Sequence, residues 1–409
     1  MLDKTLQNKK NLNLTPDFSF YPRKTITDVV VHPLGLEVIY EADKRTFHLS
    51  QDLREHATDP ETTHPITKET LISPLNIPED FCIKQAEISS DGFIRVVWSH
   101  KITPKDEGFS LYHSGWLFRT GMTSEFDYSK DTSIKIWDAS DFDDIPVISG
   151  TNFSDNKEFE KMLITLIQYG VVIIKGLPVE ENTLENIASR IGTIRNSNFG
   201  RIFDVKYKHN PDSNAYTNEE LLLHNDLSTR EYIPGLQLLF CMINETDGGF
   251  STLADGFAIA DYIKDHDTEI YDLLSGYKVS FANKAKTSDY RIESPIIRRN
   301  DKGVVDEIRW TCWLRSPLRG SLSEMSDFYE AQKKFYKLVN SDQFKIEFKL
   351  NPGDMICMDN RRILHGRTRF SETHGERWMR GCYLERDELQ SANEVSKERC
   401  YMAQTAVIG

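Results

Sequence analysis

The 409-residue sequence predicts a mainly β chain with flanking helices: a small β-rich N-terminal domain followed by a double-stranded β-helix (jelly roll). Three observations predict it. Short alternating apolar runs broken by turn residues fill the first 120 residues. Beyond residue 145, strand-like runs are separated by inserted helical patterns rather than by a regular βα alternation. Finally, two strands carrying chemistry, one ending His224-Asn225-Asp226 and one ending at His365, lie 139 residues apart counted from Asp226. A fold that returns distant strands to one place would bring them together.

In order, residues 1 to about 24 read as a lead-in. Strands are expected at 28–32, 35–40 and 45–49, with turns at Pro33-Leu34-Gly35 and Ala42-Asp43-Lys44. A polar loop follows from Asp52 to Thr70, then strands at 81–88 and 93–98, which completes a domain over 1–120. The polar run 121–145 reads as a linker, and 146–409 as the jelly-roll domain. In this second domain, residues 156–170 have helical spacing and a terminal Gly, and Val171-Val172-Ile173-Ile174 reads as a buried strand. Helices are expected at 183–191, 257–266, 268–275 and 328–339, and strands at 235–242, 344–350, 354–358 and 378–384.

A net charge of −13 argues against an extended polyanion such as nucleic acid as partner. The six cysteines are scattered without a CxxC pair, which argues against a zinc ribbon or a disulfide framework and fits a cytoplasmic compartment. The polar N-terminus lacks an apolar signal core, and no window reaches the ~20 apolar residues of a membrane span.

His224 and Asp226, two apart after Leu221-Leu222-Leu223, would share one face of a strand and could grip a divalent metal. They need a third ligand to complete a 2-His-1-carboxylate face, and His365, at the end of a second apolar run, is the candidate. Arg377, twelve residues on, could clamp a dicarboxylate. A lone His-x-Asp is weak; the combination is specific.

These residues, with Gly248-Gly249-Phe250-Ser251, Asn351-Pro352-Gly353-Asp354 and Asp359 to Arg367, resemble the Fe(II)/2-oxoglutarate dioxygenases of the taurine dioxygenase superfamily, and within it the γ-butyrobetaine hydroxylase and trimethyllysine dioxygenase branch. The resemblance implies Fe(II) bound by His224, Asp226 and His365. It also implies 2-oxoglutarate held by Arg377 and Ser251, with O2 as co-substrate for hydroxylation of an unactivated C–H bond. It implies a trimethylammonium cage from Phe199, Phe203, Tyr216 and Tyr383, by cation–π attraction. Two of the family's rings are Phe here. The family's carboxylate contacts fall on Ser213, Leu227 and the stretch Trp313-Leu314-Arg315, so the acidic end of the substrate is expected to differ. Arg315 (or Asn214) would then meet another anion, such as the phosphonate of trimethylaminoethylphosphonate. The relatives' N-terminal zinc ligands fall on Ala57, Asp59, Thr62 and Gly108, and no zinc is expected. Relatives are often dimers, which makes a homodimer the expectation. Alternatives left open are a dioxygenase acting on a non-quaternary amine, amino acid or sulfonate; a non-catalytic 2-oxoglutarate or iron sensor; and a cupin-type isomerase or hydrolase.

Overall fold

The computed structural model describes residues 21–121 and 134–407 apart from 68, 91, 152, 212, 286–287 and 372–374, with side chains as far as Ser396. The chain divides into two compact units, 1–130 with 398–409, and 131–397.

The first unit has β1 (Ile26–His32), β2 (Gly35–Tyr40), β3 (Arg45–Leu49), α1 (Ser50–Glu55), β4 (Ile83–Ile88), β5 (Phe93–Trp98), β6 (Phe109–His113) and α2 (Ser114–Thr120). They form two antiparallel three-stranded sheets, β1-β2-β3 and β4-β5-β6. Strand β5 buries Ile94, Val96 and Trp98 and leaves their neighbours half-buried, the period-two pattern of a one-sided strand. These side chains join Leu36, Val38, Tyr112 and Trp116 in one core. The expected loop from Asp52 carries the end of α1 instead, because its Leu53 and Arg54 are drawn into this unit's interior.

Arg54 is the cation at the positions where zinc ligands are missing. Its fully buried guanidinium donates to Asp106 at 2.9 Å, to Asp59 at 3.4 Å and to Thr62. Burial raises the Asp106 pKa, but hydrogen bonds from the backbone of Ile102 and Gly108 and from Arg54 outweigh it and hold the carboxyl below its usual range. Arg54→Met would leave Asp106 buried and unpaired, a loss of about 3–5 kcal/mol. The expected result is early melting of the first unit, read by thermal denaturation with metal analysis of the same protein. One tightly held zinc per chain would overturn the expectation of a zinc-free module.

The second unit runs through β7 (Val147–Ser149), α3 (Asn156–Tyr169), β8 (Val171–Lys175), α4 (Thr183–Ile191), β9 (Phe203–Lys206), β10 (Leu221–His224), β11 (Leu236–Asn244) and β12 (Ser251–Asp255). It continues with α5 (Gly256–His266), α6 (Thr268–Gly276), β13 (Val279–Lys284), β14 (Asp289–Ser294), β15 (Ile297–Arg299), β16 (Val305–Ile308) and α7 (Leu322–Val339). The last elements are β17 (Ile346–Phe348), β18 (Met355–Asp359), β19 (Ile363–Arg367), β20 (Arg377–Leu384) and, as far as residue 397, α8 (Arg386–Val407). A six-stranded sheet has the order β7-β8-β18-β11-β20-β9, and a four-stranded sheet the order β10-β19-β12-β17.

Three large apolar clusters build the layers of this unit. One joins Val171, Ile173, Cys241, Ile356, Met358 and Met379 of the larger sheet to Leu253 and Ile363 of the smaller. Another packs α3 and α4 on the larger sheet through Val172, Ile174, Leu238 and Phe240. The third packs α5, α6 and α7 on the smaller sheet through Leu223, Ala254 and Leu364. Strand β8 is covered on both faces, so it reads as an unbroken apolar run. Buried Cys241 and Cys382 have their thiols pushed up to about 12 by burial and behave as small apolar groups.

The expected linker 121–145 is corrected by packing. Its residues 122–133 lie outside the described residues, but Trp137 is buried in the core between the two sheets, donates Nε1 to the Tyr169 carbonyl and its backbone N–H to Asp255. Helix α7 begins six residues before its expected start, at a capping box formed by Ser321 and Glu324. Among the described residues no helix is long and apolar enough to cross a membrane.

Candidate metal centre

Strands β10 and β19 pair antiparallel with His224 directly opposite His365. Register alone therefore brings the two imidazoles together, with ring centroids 4.4 Å apart. The expectation of one strand from Leu221 to Asp226 needs correction: β10 stops at His224 and Asp226 begins a turn. The physical cause is Asn225, which is buried and leaves the β19 ladder. Its backbone N–H donates to the Trp310 carbonyl at 2.9 Å, its Oδ1 accepts from Trp310 N–H at 2.9 Å, and its Nδ2 donates to the Asn360 carbonyl at 2.6 Å. Asn225 thus faces away from the His224–Asp226 pair and pins the turn.

Across that turn Asp226 Oδ1 lies 3.1 Å from His224 Nε2, and Oδ2 lies 3.8 Å from His365 Nε2. One ligand atom from each residue falls within 4.8 Å of the others, the one such cluster among the described residues. His224 Nδ1 donates to the Leu222 carbonyl at 2.8 Å, which orients the ring and aims Nε2 at the carboxylate. Burial pushes His365 down to about 3, and His224 beside it adds to the shift, so its imidazole is neutral with a free lone pair. Burial raises the Asp226 pKa, but His365 and His224 lower it further, and the carboxylate is held well below its usual range. Two imidazole nitrogens and an ionised carboxylate oxygen, sunk in the protein and converging, are the donor set that a divalent first-row metal fits.

The carboxylate is held by Gln237, which spacing did not single out, and by Tyr383 and Asn360 in a role that spacing did not foresee. Gln237 Nε2 donates to Asp226 Oδ2 at 2.6 Å and Tyr383 Oη donates to the same oxygen at 2.7 Å. Gln237 and Tyr383 are cross-strand partners in β11 and β20, which explains why both reach one atom. Asn360, fully buried, accepts from Asp226 N–H and donates to the Asp226 carbonyl. The one sequence signal for Gln237 is a lone amide inside the apolar run Leu236 to Phe240.

Arg377 opens β20 and is desolvated: burial pushes its guanidinium down to about 10, and its buried Nε has no hydrogen-bond partner among the described residues. An unpaired buried guanidinium is costly unless a ligand supplies the anion. Gly249, at φ +66°, lets the loop approach, since a Cβ there would sit 3.3 Å from Arg377 Cδ and Nε. Arg367 is the neighbouring cation and was not foreseen. It shares a strand face with His365, is pushed down to about 9 by burial and by Arg377, and donates to the carbonyls of Ala215, Thr217 and Glu219. It thereby ties down the segment bearing Tyr216. Ser251 stands opposite Arg367 in the β12–β19 register, two residues beyond Gly249.

Of the four expected cage rings, three meet. Phe203 lies 5.0 Å from Tyr383 and 6.0 Å from Phe199 between centroids, and Leu227 packs on them. Gly381 makes room, since a Cβ there would be 2.5 Å from the Phe203 ring. Tyr216 stands nearer Lys208, whose Nζ is 3.6 Å from its ring centroid, though its phenol still contributes to raising the Tyr383 pKa. The Trp313 ring lies tilted beside His224, with centroids 4.8 Å apart. Arg315 donates to Gln332 and lies over the Trp310 ring, 5.2 Å from its centroid.

A family model described as "Taurine catabolism dioxygenase TauD, TfdA family" matches residues 138–383. The chain belongs to that family. A γ-butyrobetaine dioxygenase of Pseudomonas sp. (strain AK-1) is 36% identical over 345 residues, covering 83% of this chain and 88% of that protein. A trimethyllysine dioxygenase of Meyerozyma guilliermondii is 25% identical, covering 83% and 88%. Among solved structures, the PvcB protein from Pseudomonas aeruginosa superposes with a TM-score of 0.43 at 16% identity, over 56% of this chain and 80% of that one. As a member of the TauD/TfdA family the chain is an Fe(II)- and 2-oxoglutarate-dependent dioxygenase that acts on a small molecule.

Proposed function

We propose that this dioxygenase hydroxylates an unactivated C–H bond of a small quaternary-ammonium, betaine-like substrate. The carrying observation is that Tyr383 packs against Phe203 and donates through its hydroxyl to Asp226, so the aromatic cluster abuts a carboxylate of the metal triad. A cation that can donate no hydrogen bond gains little specificity from carbonyls or hydroxyls and is held well by ring faces. The two named relatives act on trimethylammonium compounds, which supports the same reading. The two sheets of the second unit are taken as the halves of a jelly roll, behind an N-terminal domain.

In this reading His224, Asp226 and His365 hold Fe(II), and Arg377 with Ser251 holds the distal carboxylate of 2-oxoglutarate. The bound metal and co-substrate supply the oxidation of the C–H bond by O2. The chain's own residues do the rest. Gln237, Tyr383 and Asn360 keep Asp226 ionised and oriented, Leu222 fixes the His224 tautomer, and Phe199, Phe203 and Tyr383 place the substrate and exclude water. A trimethylammonium substrate bearing a phosphonate in place of a carboxylate is the finer candidate, and a non-quaternary amine, amino acid or sulfonate the competing class.

A panel of trimethylammonium acids and phosphonates, with succinate formation as readout, tests this. Turnover is expected with at least one member, and none with any would sink the reading. Phe203→Ala should raise the KM of the trimethylammonium substrate by about tenfold, the loss of one ring at ~1–2 kcal/mol, while uncoupled 2-oxoglutarate oxidation persists.

A further inference from the structure

Next to the aromatic cluster, a cavity of about 280 Å³ is lined by Arg195, Asn196, Asn198, Leu227, Arg230 and Tyr290. Leu227 connects the two sites, because it follows the triad's Asp226, packs on Phe203 and Tyr383, and forms part of the cavity wall. Neither cation in this wall belongs to the expected substrate residues.

The two arginines differ in what they have left to offer. Arg195 is paired with Glu385 at 2.6 Å and donates to the Tyr232 carbonyl. Arg230 has no carboxylate partner among the described residues. It donates Nη2 to Asn198 Oδ1 at 2.8 Å, its buried Nε has no partner, and its guanidinium lies 3.3 Å from the Tyr290 ring centroid. Stacking holds the fork flat and in one orientation, which is the state suited to a two-pronged oxyanion.

The loop bearing Arg230 is built rather than loose. Leu227 takes a left-handed backbone, φ +56°, a strained conformation for a γ-branched residue. Ser228 Oγ donates to the Asn225 carbonyl, and Arg309, buried and paired with Glu307 at 2.8 Å, donates to the carbonyls of Ser228, Arg230 and Glu231. Strain held in place by this many bonds leaves Arg230 at a fixed position beside the metal triad. In a chain of net charge −13, such a local cation is what an acidic ligand group requires.

We propose that this cavity is the subsite for the acidic end of the substrate, with Arg230 as its cation and a carboxylate, sulfonate or phosphonate as its ligand. The assignment deepens the quaternary-ammonium reading and rests on it for the other end of the molecule. It also takes the place of Arg315, which does not line this cavity.

Four compounds separate the two claims in the Fe(II)-loaded full chain: γ-butyrobetaine, trimethylaminoethylphosphonate, choline (no acid) and 4-aminobutyrate (no quaternary nitrogen). The wild type should show at least a tenfold lower KM for an acid-bearing trimethylammonium compound than for choline. Arg230→Gln should erase that gap by raising only the acid-bearing KM, and Arg230→Lys should restore part of it. A merely structural role would raise both KM values together. No acid preference in the wild type, or an unchanged ratio in Arg230→Gln, overturns the proposal. The cage reading fails separately, through equal KM for γ-butyrobetaine and 4-aminobutyrate or through turnover of neither. In that last case, calorimetric titration of the anaerobic enzyme with ethylphosphonate decides: binding abolished by Arg230→Gln supports the subsite, and absent or unchanged binding overturns it.

Discussion

Replacing Asp226 with Ala will abolish both turnover and the weak visible charge-transfer band formed when the anaerobic enzyme takes up Fe(II) and 2-oxoglutarate, and His224→Ala will do the same. In each variant the metal keeps only two protein ligands, and Asp226→Ala also removes the one negative charge among the three. It further strands two buried donors, because Gln237 Nε2 and Tyr383 Oη both point at the lost carboxylate. The effect should be graded by shell. Gln237→Leu and Tyr383→Phe leave all three ligands in place and remove only a hydrogen bond that orients one of them, and a loss of about 10–100-fold in iron affinity is expected. A normal band in Asp226→Ala would move the metal elsewhere in the chain.

Arg377→Ala should raise the 2-oxoglutarate requirement by roughly a hundredfold, since a lost bidentate guanidinium–carboxylate contact amounts to about 3 kcal/mol and each 1.4 kcal/mol is tenfold. The sign of its effect on the free protein is the more diagnostic part. In the unliganded chain Arg377 is a desolvated cation whose pKa is pushed down to about 10, with its buried Nε unpartnered and with Arg367, itself pushed down to about 9, as a like-charged neighbour. Removing it should therefore leave the melting temperature without co-substrate unchanged or higher, whereas most large-to-Ala substitutions at buried positions lower it. The same variant should lose the rise in melting temperature that millimolar 2-oxoglutarate gives the parent. Destabilisation without co-substrate, or a retained shift with it, would remove Arg377 from the 2-oxoglutarate site.

Much of this was legible from residue order. Period-two alternation located β5, continuous apolar character located β8, and Gly170 marked the end of α3, where it adopts φ +71°. Such patterns are local consequences of backbone geometry and survive without knowledge of neighbours. The misplaced features are those that neighbours decide. Residues 134–145 look polar enough for a linker, yet Trp137 is held by Tyr169 and Asp255, the latter 118 residues away. Asp226 looks like the next inward residue of a strand, yet the strand ends two residues early, at His224, because Asn225 pairs with Trp310, 85 residues on.

By itself the sequence determined the ligand chemistry: an imidazole and a carboxylate two apart, a second imidazole at the end of an apolar run, and a guanidinium twelve residues beyond it. Those spacings are read from residue order alone, although the turn at Asn225 and the step from β19 to β20 are what place Asp226 and Arg377. Only the tertiary structure decided which donors hold the carboxylate and which cation faces the cavity. Gln237 meets Asp226 because β11 and β20 align it with Tyr383, and Arg230, positioned by Arg309 and Tyr290, has no carboxylate partner among the described residues while Arg195, its neighbour, is taken by Glu385. Register and packing between segments far apart in sequence set those choices, and no local periodicity encodes them.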